Sequence, residues 1–181
     1  MLRRSALLLL PLTLGSCTMM APPNADSVDG LFLQSVTGSN LFEIQSSQVA
    51  LNKSSNAQVR AFAQQMITEH TAAQNQVNTL AAARSVALPK MLPPDLQLKV
   101  NTLNTLSGSA FDQAYLRELV LGHQLTVSIF QNELTAGRDA GVVAFANQNL
   151  PLIQRHLAEA QALQTAVGGQ ATPAPAAPST P

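Results

Sequence analysis

The chain has 181 residues, with ten basic against ten acidic side chains, one cysteine, one tyrosine and no tryptophan. That length suits a single domain once the ends are set aside. The lone cysteine excludes a disulfide within the chain, and no basic stripe is present to attract nucleic acid.

The first residues read as a secretory signal. Arg3 and Arg4 precede the apolar run "SALLLLPLTL", which is too short to anchor as a membrane span, and "LGSC" follows. Leu14, Gly15 and Ser16 before Cys17 resemble the lipobox of bacterial lipoproteins, in which the cysteine is acylated and becomes the mature terminus. Multiple acyl chains would hold the protein on a membrane surface. Thr18 stands where an aspartate would signal retention in the inner membrane, so the expected address is the periplasmic face of the outer membrane. Removing Arg3 and Arg4 leaves eight basic against ten acidic residues. Residues 18–26, "TMMAPPNAD", read as a tether, residues 27–167 as the folded domain, and residues 168–181, "GGQATPAPAAPSTP", as a disordered Gly/Pro/Ala tail.

Within the domain the pattern predicts an all-α fold with four long helices. The first spans about Ser27 to Asn52. The second begins at Ser55, with Gln58 completing a capping box, and reaches about Arg84. "ALPKMLPPD" then breaks the chain, and a short amphipathic helix follows with Asp95 as its cap and Leu96, Val100 and Leu103 on one face. The third long helix starts near Ser109 and stops at Gly137. The fourth runs from about Asp139 to just before Gly168, with a kink or restart expected at Pro151. No segment alternates with period two for long enough to read as a strand. The connection over residues 85–108 is long, and its short helix alone covers about 18 Å at 1.5 Å per residue. One long crossover among four helices is the ferritin-like arrangement, so the expected architecture is a ferritin-like four-helix bundle with an extra helix between the second and third long helices.

Apolar residues recur at steps of three and four along these helices. The stripes are Val59, Ala63, Met66, His70, Ala73, Val77 and Leu80 on the second; Leu116, Val120, His123, Val127, Phe130 and Leu134 on the third; Phe145, Asn149, Leu152, His156, Ala160, Leu163 and Val167 on the fourth. All three histidines of the chain occupy core positions. On the first helix the apolar residues spread over a broad face, edged by a row of small and polar residues that includes Asn40, Glu43 and Ser47. Glu43 is the natural counterpart of the histidines, and all four groups fall near the middle of their helices.

A layer of Glu43, His70, His123 and His156 has two readings. It is either a hydrogen-bonded polar network that fixes helix register, or a metal site. Unpaired buried polar groups cost about 1–3 kcal/mol each, and one divalent cation satisfies all four together. Residues 67, 120 and 153 precede the histidines by three and are Ile, Val and Ile, so the paired Glu-x-x-His pattern of dinuclear iron sites is absent. Three nitrogens and one oxygen suit zinc, copper, iron or nickel. Glu69, adjacent to His70, points about 100° away from it on the helix, whereas Glu159 follows His156 by roughly one turn and is a candidate outer-shell partner. No phosphate loop or nucleophile triad is visible. Tyr115 and Asp112 are expected at the bundle's end, as packing and cap.

"SNLFEIQSSQVAL", "VRAFAQQMITEHTAA", "LSGSAFDQAYLRELVLGHQLTVSIF" and "LPLIQRHLAEAQAL", in this order and spacing, resemble the bacterial envelope family known as domain of unknown function 4142, often described as outer-membrane proteins. The resemblance covers about residues 28–167. It implies a ferritin-like bundle whose characteristic residues fall on Glu43, His70, His123 and His156, with an aromatic motif at Phe111, Asp112 and Tyr115. It carries no established activity. The leading expectation is a lipid-anchored periplasmic bundle that binds one divalent transition metal and serves metal handling or stress protection. The alternatives are a non-catalytic structural or interaction lipoprotein and a metal-dependent redox enzyme, a non-enzymatic role being favoured.

Overall fold

The structure, a computed structural model, describes residues 25–169. The expected signal segment with Cys17, residues 18–24 of the tether and residues 170–181 of the tail lie outside the described residues. Five helices and no strand occur among them: α1 (Val28–Lys53), α2 (Ala57–Ala83), α3 (Pro94–Thr105), α4 (Gly108–Ala136) and α5 (Ala140–Gly169). No described helix is long and apolar enough to cross a membrane.

The helix starts follow local capping chemistry. Ser27 Oγ accepts from Gly30 N at 3.0 Å at the head of α1. At α2 the cap is Asn56, one residue later than the expected Ser55. Its Oδ1 accepts from the amides of both Gln58 and Val59, satisfying two of the free donors of the first turn. Asp95 does not cap α3; it sits in the first turn behind Pro94, whose missing N–H and fixed φ suit the opening position. Ser107 precedes α4 without a side-chain cap, and Gly108 takes the left-handed φ of 56° at its first residue. Asp139 Oδ1 caps α5 through Gly141 and Val142. Helix α5 continues through Pro151 without a restart and through Gly168 to Gly169.

Three residues join α1 to α2 and three join α4 to α5, so each pair folds back on itself as a helical hairpin. Helix α1 also packs on α4 and on α3, which accounts for its broad buried face. The long connection between α2 and α4 carries α3, whose Val100 and Leu103 are buried and whose Lys99 pairs with Glu118 of α4 at 2.9 Å. At the opposite end, the Asp29 carboxylate accepts from the amides of Arg138 and Asp139 in the α4–α5 turn, and Arg84 pairs with Asp139. The Glu133 side chain is buried in this corner, and no donor reaches either of its carboxyl oxygens.

The hydrophobic core is split in two. One cluster includes Phe42, Met66, Val120 and Ala160, and the other includes Val36, Val77, Phe130 and Ile153. On every long helix the gap between the clusters falls at the same height, at Asn40, His70, His123 and His156. Polar residues in the apolar stripe thus form one layer across the molecule.

Candidate metal centre

Three helices bring one imidazole each into that layer. His70 on α2, His123 on α4 and His156 on α5 are 3%, 1% and 0% exposed, so all three have left water. Their ring centroids are 5.3–5.6 Å apart, and one ligand nitrogen from each ring lies within 4.8 Å of the other two.

The partners behind the rings assign every proton. His70 Nδ1 is 2.9 Å from Asn40 Oδ1, and the amide nitrogen of Asn40 donates to Gln74 at 2.9 Å, so Nδ1 of His70 donates to the Asn40 oxygen. His123 Nδ1 is 2.8 Å from the carbonyl of Leu119, which only accepts. His156 Nε2 donates to Glu69 Oε2 at 2.5 Å. A neutral imidazole with one protonated nitrogen keeps a lone pair on the other. The remaining nitrogens are His70 Nε2, His123 Nε2 and His156 Nδ1, and all three are buried without a hydrogen-bond partner.

The surroundings keep these nitrogens unprotonated. Burial pushes the pKa of His70 well down, and the neighbouring His123 and His156 push it the same way. Burial lowers His123 to about 4, against the opposing pull of the Leu119 carbonyl. Burial also lowers His156, although its bond to Glu69 works in the other direction. The layer therefore presents three neutral nitrogen donors at neutral pH, the form a metal ion requires.

Glu43, expected as the fourth member, is 1% exposed but stands apart from the trio. Its Oε1 lies 3.4 Å from His123 Nδ1, the nitrogen already committed to Leu119, while Oε2 has no partner. Burial raises its pKa well above the ordinary carboxylate range. Gly122 leaves room for this carboxylate, since a Cβ there would lie 3.2 Å from Glu43 Oε1. Glu159, expected beside His156, instead accepts from Gln65 at 3.1 Å and pairs with Arg155. The carboxylate on His156 is Glu69, which also pairs with Arg155 at 3.1 Å. Its direction off the stripe of α2 was legible in the sequence; that this direction faces α5 was not. Tyr115 and Asp112 are buried in α4, and neither is a helix cap. The Tyr115 hydroxyl is 2.8 Å from Ser47 Oγ and its ring stacks on Phe111.

Carboxylate or carbonyl groups behind ligand histidines orient the rings and raise the basicity of the free nitrogen. Here Asn40, Leu119 and Glu69 stand in that position on the three rings. Such a set can hold a borderline divalent ion, zinc, copper, iron or nickel, by its three nitrogens.

Solved structures share the fold, among them two DUF305 proteins. The DUF305 protein of Streptomyces coelicolor superposes with a TM-score of 0.68 at 16% identity, over 80% of this chain and 94% of its own. A DUF305 fragment from Deinococcus radiodurans gives 0.67 at 16% identity, over 78% of this chain and 96% of its own. At that identity the likeness concerns the fold alone. No curated protein matches the chain. The model of the family described as domain of unknown function DUF4142 matches residues 15–163, most of the chain with all three histidines, and the chain belongs to that family.

Proposed function

We propose that this protein binds one divalent transition metal ion through His70 Nε2, His123 Nε2 and His156 Nδ1, and that it serves metal handling or stress protection in the bacterial envelope. The carrying observation is that three buried nitrogen lone pairs share one layer and no donor reaches any of them. The imidazoles make no hydrogen bond to one another. All three donate outward instead, to Asn40, Leu119 and Glu69. An ion replaces three unmet acceptors, worth about 1–3 kcal/mol each, with coordinate bonds. Glu43 and Glu69 supply negative charge near it, and a cation at this place would favour the ionised form of Glu43.

In this proposal the four long helices form a ferritin-like four-helix bundle, with the segment carrying α3 as its long crossover. A lipid on Cys17 would hold the bundle at the periplasmic face of the outer membrane. Elemental analysis of the purified protein tests the metal reading: close to one ion per chain is expected, falling sharply in His156→Ala. A metal-free protein whose melting temperature ignores added zinc, copper and iron would overturn it.

A further inference from the structure

We propose that the ion keeps one coordination position for a small external ligand of one or two non-hydrogen atoms, water or hydroxide in the resting protein, seated in a buried pocket against His70 and His156. The inference rests on the metal reading above and adds the ligand class of the same site.

Two independent observations carry it. The first is the donor count. Among the described residues the converging set contains three imidazoles and no carboxylate. Glu43 approaches His123 at Nδ1, not at the free Nε2, and Glu69 is committed to His156 and Arg155. Three protein nitrogens leave a tetrahedral ion one ligand short, the feature that separates open metal sites from closed structural ones.

The second observation is a pocket of about 10 Å³ bounded by His70 and His156, with Val36, Ala73, Phe130 and Phe145 among its apolar walls. That is room for about one water-sized sphere. The pocket is also edged by Asn40, Thr126 and Asn149, whose side chains already donate to Gln74, to the Gly122 carbonyl and to the Phe145 carbonyl. A metal ion on the imidazole side would anchor a ligand seated here. The pocket also reaches Glu69, whose side chain is 28% exposed, so the route from solvent runs along the α2–α5 seam beside this carboxylate. The walls restrict the ligand by size, since about 10 Å³ holds one water-sized sphere and no second solvent molecule.

Copper(II) is the probe. The full chain is loaded with copper, its content fixed by elemental analysis, and its electron paramagnetic resonance compared in ordinary and oxygen-17-labelled water. The expected result is coupling to the labelled oxygen in the wild type and its loss in Ala73→Leu, which fills the pocket, with copper content retained. Val36→Leu is the second filling variant should Ala73→Leu not fold, and the wild-type spectrum decides the open position by itself. One copper per chain with no labelled-oxygen coupling would overturn the open position while leaving the metal site standing. Undiminished coupling in a folded, filled variant would overturn the pocket as its seat. A chain that takes up neither copper nor zinc would sink the metal reading and this inference together.

Discussion

Replacing Glu69 separates a metal-orienting carboxylate from a surface charge. The Glu69–His156 contact is a short charge-assisted hydrogen bond of 2.5 Å to a ring that is 0% exposed. Glu69→Gln keeps an acceptor but loses the charge. Hydrogen bonds to charged groups contribute about 1.5–3 kcal/mol against about 0.5–1.5 for neutral ones, so the loss is about 1 kcal/mol, or about fivefold in affinity. Glu69→Leu removes the acceptor altogether. His156 Nε2 is then buried without a partner, and nothing holds the proton away from Nδ1, the nitrogen facing the other imidazoles. Loss of such a supporting group lowers metal affinity by about 10–100-fold. The assay is zinc competition against a chromophoric chelator at neutral pH, with circular dichroism to verify the fold. Arg155→Ala serves as the control: its side chain is 53% exposed, and its pairs with Glu69 and Glu159 are surface pairs of about 0–1 kcal/mol. A folded Glu69→Leu protein that binds zinc within about threefold of the wild type would refute the reasoning, since that spread lies below the about tenfold minimum for an orienting partner.

Two further outcomes test the architecture. Burial and the nearby Asp29 and Asp139 carboxylates raise the pKa of Glu133 from 4.5 to about 7. In the folded chain Glu133 therefore holds a proton that the unfolded chain releases, and its contribution to stability falls as pH rises from 4.5 to about 7 and then levels. Glu133→Gln should flatten that slope, recovering on the order of 3 kcal/mol at pH 8 relative to pH 4 in urea titrations; an unchanged slope would remove Glu133 as its source. Tyr115→Phe leaves the fully buried Ser47 hydroxyl without its 2.8 Å partner and should cost about 1–3 kcal/mol in chemical denaturation. The double variant with Ser47→Ala should regain part of that loss, and a Tyr115→Phe protein as stable as the wild type would contradict the assigned bond.

What the sequence determined by itself is the periodic part of the molecule. Steps of three and four placed His70, His123 and His156 on core stripes, and every member of those three stripes is buried or partly buried in the structure. Helix number, the short turns, the long α2–α4 connection and the shared height of the histidines all follow from one-dimensional spacing, because a helix converts residue number directly into angle and rise. Spacing within one helix does not say which neighbour its flank meets. That is why Glu69, 100° from His70 on α2, does not read as a partner of the site although its carboxylate lies on His156, and why Glu159, one turn beyond His156, reads as one although it turns to Gln65 and Arg155. Glu43 shows the same limit: its helix and height were legible, but its place behind His123 depends on the gap at Gly122 of α4. Leu119 of its own helix fixes the proton of His123, but only the packing of helices against one another decided which nitrogen of His70 and of His156 carries the proton, and that all three lone pairs face a common point.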